Sequence, residues 1–150
     1  MHPTQKPATG TVVYPSDLLR AAAGYLAAHG WIQHGIYRWT LTPGDWRTTN
    51  PAASLLGAIA AAASTDDTPT MGEADYARLG AALDWLSGWL AFHHTGYSHL
   101  LRAYTIGDLP SLDRVLVDFN DTPGRTAADI VSALHTAAAD WDRLHRGVTA

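Results

Sequence analysis

From Ala52 to Ala63 the chain reads AASLLGAIAAAA, without one charged side chain. Wound as a helix, this run has no polar face, and such a helix is stable only where protein surrounds it. Ser54 and Gly57 interrupt it, and it falls well short of the roughly 20 apolar residues that cross a bilayer. Asn50 before Pro51 reads as a capping side chain followed by a proline at the first helical position. The segment therefore predicts a central helix over about 51–64, and the rest of the chain has to wall it in.

Those walls are written as amphipathic stripes. Ser16 as N-cap, Asp17 in the first turn and Leu18, Ala22, Tyr25 and Leu26 at helical spacing predict a helix over about 16–29, closed by a left-handed Gly30. Thr70 with Glu73 spells a capping box, after which Tyr76, Leu79, Leu83, Leu86 and Leu90 mark a buried stripe ending near His94–Gly96, with Asp75, Arg78 and Asp84 off it. The last helix opens at Thr126 with Asp129 and runs Ile130, Leu134, Ala137, Trp141, Leu144, the last two anchoring the chain end. Residues 98–104 and 111–119 read as brief docked helices, the second equally as a strand. Aromatic and β-branched residues crowd 31–41, which suits a short hairpin or an irregular connector before the turn residues Thr42–Asp45. The expected class is all-α: a compact bundle of about four main helices with short helical or extended insertions, an arm over 1–14 and a single helical domain over 15–150.

Composition narrows the function classes. At 150 residues and 47% apolar content the chain can hide a core without staples. Cys is 0, which removes disulfides, thiolate zinc sites, iron–sulfur clusters and a thiol nucleophile. A net charge of −4 argues against nucleic-acid partners, which demand a basic face. The opening MHPTQKPATG is no secretory signal, so a cytoplasmic protein without a membrane segment is expected. No cofactor is predicted. Lys6 and Glu73 are the sole residues of their types, a bias that reads as a GC-rich genome.

The run Asn120–Thr126 (NDTPGRT) with the following AADIVSALHTAA, together with LLRAAAGYLAAHGW and Leu55–Ile59, resembles a family of small actinobacterial proteins of uncharacterised function. The likeness spans about 16–140. It implies a compact, mainly helical bacterial protein and supplies no reaction. The family often carries Cys where this chain has Ser54, so a role resting on that thiol is absent here.

Three constellations are candidate sites. In the first, Asn120, Asp121 and Arg125 precede a helix start whose free N–H groups and Arg125 suit a small anion or carboxylate, with Asn120 orienting it. The alternative is an Asx-type turn with Arg125 paired to an outlying Asp. In the second, His93, His94 and His99 could ligate a metal, but adjacent helical residues diverge by about 100°, and histidines near a helix C-terminus are also favourable electrostatically. In the third, Trp31, Gln33, His34, Tyr37, Trp39 and Trp46 offer an aromatic wall with polar tips, either a ligand pocket or ordinary core edge. His34 and His99 are the candidates for acid–base catalysis. No nucleophile elbow, phosphate loop, H-E-x-x-H or dinucleotide fingerprint is present. The leading expectation is a binding or accessory protein for a small molecule or protein partner. Its rivals are a small His-based enzyme and a ligand-free helical homodimer.

Overall fold

The computed structural model describes residues 13–38, 50–64, 72–94 and 112–147. The expectations placed on 1–12, 39–49, 65–71, 95–111 and 148–150 lie outside them, among them Trp39, Trp46, His99 and the brief helix at 98–104. The described residues form five helices: α1 (Pro15–His29), α2 (Leu55–Ala63), α3 (Glu73–His93), α4 (Leu112–Asp121) and α5 (Ala127–His145). A two-stranded antiparallel ribbon, β1 (Tyr37–Arg38) and β2 (Ala52–Ala53), is the extended insertion. The all-α class holds. None of the described helices is long and apolar enough to cross a membrane.

The alanine-rich α2 packs against α1, α3 and α4, and none of its residues is exposed. Its start differs from expectation. Pro51 is buried and Asn50 takes φ +65, while Ala52 and Ala53 are drawn out to pair with Arg38 and Tyr37. Strand pairing thus holds the backbone extended for two residues beyond Pro51, and the helix begins where Ser54 accepts a hydrogen bond from Gly57 N at 3.2 Å. Ser54 is thus the N-cap of α2.

The outer helices show the same mixture. On α5 the capping box is present, with Thr126 Oγ1 accepting from Asp129 N (3.2 Å) and Asp129 Oδ2 from Thr126 N (2.9 Å). Ile130, Leu134 and Ala137 are buried as the stripe requires, but Leu144 is 59% exposed and anchors nothing. On α3 the cap is Gly72, whose N–H reaches Asp75 at 3.1 Å, so Glu73 sits at the first helical position; Thr70, its expected partner, lies outside the described residues. Asp75 is buried against Arg78, whereas Tyr76 is 61% exposed, because the buried face runs through Ala82, Leu86 and Leu90 and is rotated from the expected stripe at its N-terminal end. Trp85 and Trp89 donate their indole N–H groups to Ala137 O and Asp140 Oδ2, each at 2.8 Å, tying α3 to α5.

Ser16 is not the cap of α1. Tyr14 is, and Ser16 is fully buried with its hydroxyl donating to Asp142 Oδ1 at 2.6 Å. Arg20 donates to the other oxygen of Asp142 at 2.6 Å, and Arg146 lies 3.4 Å from Oδ1. Burial alone would raise the Asp142 carboxyl, but these hydrogen bonds and the Arg20 charge outweigh it and hold the group below its ordinary value. Gly30 closes α1 with φ +97 and ψ 158, a region open to glycine but outside the left-handed helical well.

Two predictions follow from this packing. An ideal Cβ at Gly57 would lie 2.5 Å from Ile36 O and 3.0 Å from a Tyr37 ring carbon. Gly57→Ala should therefore cost about 2 kcal/mol and Gly57→Leu more, read by urea denaturation; a near-normal midpoint for Leu would contradict the enclosed position of α2. Asp142, with its depressed folded-state pKa, contributes stability that is present above the ordinary carboxylate value and lost as pH falls through the folded value. Asp142→Asn should lower stability at neutral pH by about 2 kcal/mol and flatten the acid limb of a plot of melting temperature against pH.

Candidate functional site

The chain between α1 and β1 bends sharply over 33–36 and is fastened to β2 and α2 through its backbone. Ile32 N donates to Ala53 O (3.0 Å), Ala53 N to Gly30 O (3.1 Å) and Ser54 N to Ile36 O (2.9 Å). Tyr37 adds its hydroxyl to Gly57 O at 2.9 Å. His34 sits in this bend at φ +61, a left-handed conformation uncommon for a residue with a side chain.

Across from the bend stands the end of α4. Asn120 and Asp121 belong to that helix rather than to a loop, and the turn proper is Thr122–Thr126. Asn120 is 2% exposed and uses all four of its hydrogen-bonding positions. Its Oδ1 accepts from Trp31 Nε1 at 2.7 Å and from Leu55 N at 2.9 Å; its Nδ2 donates to Ile32 O at 3.0 Å and to Asp121 Oδ1 at 2.8 Å. Gln33 Nε2 reinforces the junction by donating to Asn120 O (3.0 Å) and Thr122 O (3.1 Å). Asp121 Oδ1 also accepts from His34 N at 2.9 Å, and Oδ2 lies 3.7 Å from His34 Nδ1.

Between the bend and α4 opens a cleft of about 310 Å³, flanked by Ile36, Leu56, Leu116 and Val117, with His34, Ser54, Asn120 and Asp121 as its polar lining. Of the ligand candidates Trp31, Gln33, His34, Asn120, Asp121 and Arg125, His34, Asn120 and Asp121 reach this cleft. Trp31 and Gln33 stand behind it as the partners that fix α4. Arg125 is directed elsewhere: its Nε donates to Phe119 O at 3.1 Å and its guanidinium lies 3.9 Å over the Phe119 ring. The N–H groups expected to receive an anion are served at Thr126 by Asp129, the chain's own carboxylate.

His93 and His94 both contact Trp89 but otherwise meet different partners. His93 packs on Trp89 and lies 3.8 Å from Asp140, whereas His94 packs edge-on against Phe119. Burial first, then the charges of Arg125 and His93, hold the His94 imidazole below its ordinary value. Among the described residues no group of three His, Asp or Glu is placed to hold a metal ion. Ser54 and His34 share the cleft without a hydrogen bond between them; Ser54 Oγ is engaged with Gly57 N. Ser54 and His34 are thus not a preassembled nucleophile–base pair.

Sequence reasoning missed the apolar flanks, Ile36, Leu56, Leu116 and Val117, because each reads as an ordinary member of a helix or connector. Ile36 (52% exposed) and Val117 (41% exposed) are large apolar residues left facing outward at the cleft.

A family model described as a family of unknown function, DUF6197, matches residues 11–140. The chain belongs to that family. The match embraces every residue of the cleft, from His34 to Asp121, so the DUF6197 region contains the site whole. No curated protein and no solved structure matches this DUF6197 chain.

Asn120→Ala would strand Leu55 N, Ile32 O and the Trp31 indole N–H together. It should cost about 3 kcal/mol or more, since buried groups left without partners carry their full desolvation penalty; a loss below about 1 kcal/mol in urea denaturation would contradict this role.

Proposed function

We propose that this protein binds a small molecule in the cleft between the 33–36 bend and the C-terminal half of α4. The observation that carries the reading is the cleft itself: about 310 Å³, mostly apolar in its lining, with a histidine and an aspartate at one side. Small-molecule sites have this character, an apolar concavity of about 300–1,000 Å³ with a few fixed polar groups, and this one lies at the lower end of that range. Two further features support it. Asp121 is held by Asn120, a buried and fully bonded side chain, so its position is set before any ligand arrives. His34 is kept in a conformation that costs roughly 1–3 kcal/mol, a cost found disproportionately at functional positions.

A general-base role for His34, oriented by Asp121, is the second reading, favoured by their 3.7 Å approach. Binding is preferred over catalysis because no described nucleophile is hydrogen-bonded to the imidazole and the His34 side chain is 75% exposed.

Blocking the cleft tests the proposal. Val117 is partly exposed, so Val117→Trp should leave the melting temperature within a few degrees of the parent while filling the cavity. Small apolar-bodied compounds that shift cleft resonances in the parent should lose affinity by at least about tenfold in V117W. Unchanged binding in V117W would place their site elsewhere.

A further inference from the structure

We infer that the cleft takes a ligand bearing a primary ammonium group on an apolar body, and that Asp121 and His34 hold the ammonium jointly. This rests on the cleft being a binding site and adds the chemistry of its occupant.

The inference starts from the unequal use of the two Asp121 oxygens. Oδ1 already accepts from Asn120 Nδ2 at 2.8 Å and from His34 N at 2.9 Å. Oδ2 accepts no hydrogen bond from any described residue, and His34 Nδ1 stands 3.7 Å away, beyond hydrogen-bonding reach. The cations of the neighbouring turn and helix are turned away from it. Arg125 is spread over Phe119, and Arg114 pairs with Asp118 at 3.7 Å. Asp121, a carboxylate held in place through Oδ1 and with Oδ2 not bonded by any described residue, therefore lines a largely apolar cleft.

The 3.7 Å gap has a definite complement. A nitrogen about 2.8–2.9 Å from both Asp121 Oδ2 and His34 Nδ1 closes a triangle on that base, donating one N–H to the carboxylate and one to the imidazole lone pair. The imidazole is then the tautomer with its proton on Nε2. A primary ammonium carries three such donors, a quaternary ammonium none, and an alcohol one without the charge. The remainder of the ligand lies along Ile36, Leu56, Leu116 and Val117, where burial of an alkyl or aryl body is favourable.

Head-group ranking on the full chain tests this. Hexylamine, hexyltrimethylammonium, hexanol and hexanoate share one body, and each is titrated at neutral pH into ¹⁵N-labelled protein while the Trp31 indole N–H and the backbone amides of His34, Ile36 and Val117 are followed. The expected result is that hexylamine binds at least about tenfold more tightly than the other three, and that Asp121→Asn lowers it to the level of hexanol while leaving hexanol unchanged. Equal affinity for the amine and the alcohol, or a preference that survives D121N, overturns the ammonium assignment. Trimethylammonium binding as well as the primary amine overturns the joint seat, since it has no N–H to share. Should D121N fail to fold, the ranking on the unaltered chain decides alone. Silence from all four compounds sinks the cleft reading itself, whereas tight hexanol or hexanoate binding keeps the cleft and discards the ammonium.

Discussion

A single buried carboxamide touches three segments at once, at the centre of the bonds that tie the bend to β2, α2 and α4. Asn120 at the end of α4 accepts from the Trp31 indole and from the first backbone N–H of α2, and donates to the carbonyl of Ile32. In a dry interior each such bond is stronger than in water, and each missing one is more costly, so the junction is sensitive to the loss of any of them. Satisfied on all sides, Asn120 fixes where α4 stops relative to the bend that carries His34. Asp121 inherits that position from its neighbour, and the cleft inherits its polar side from Asp121.

Around this junction the rest of the architecture is made of apolar contact. The enclosed α2 leaves no charged group to satisfy and can be approached very closely; Gly57 is near enough to the Ile36 carbonyl that no side chain fits between them. The bend is therefore pressed onto α2 from one side and bonded to α4 on the other. A site built on so short a connector is positioned by its neighbours, not by a regular element of its own.

α1, α3 and α5 were legible because a 3.6-residue apolar period reports burial of a face and needs no knowledge of the partner; α2 was legible as an uncharged run, whereas 111–119 reads equally as a brief helix or a strand and is the helix α4. Starts were less so. Ser16 has the chemistry of a cap, yet a carboxylate 126 residues away claims its hydroxyl; Asn50 and Pro51 spell a helix start, yet pairing with Tyr37–Arg38 keeps the next two residues extended. In both cases a long-range bond overrode a local preference. The site was half legible for the same reason. Trp31, Gln33, His34, Asn120 and Asp121 do meet in space, but residue type could not tell a side chain that greets a ligand from one whose valences are spent on the fold. Arg125 shows the limit most plainly: charge and a neighbouring helix start suggested an anion, and an aromatic face and a carbonyl took the guanidinium instead.

The bonds from Ser16 and Arg20 to Asp142 bear on how the chain is made as well as on how it stands. α1 leaves the ribosome first among the described helices, and α5, the helix it packs against most extensively, leaves last. Until α5 is made, the part of α1 that packs on it has no permanent cover, and the buried serine no carboxylate to meet. Completion of this packing therefore waits on translation of α5, and a ribosome-bound fragment lacking α5 is a natural client for chaperones that shield apolar surface.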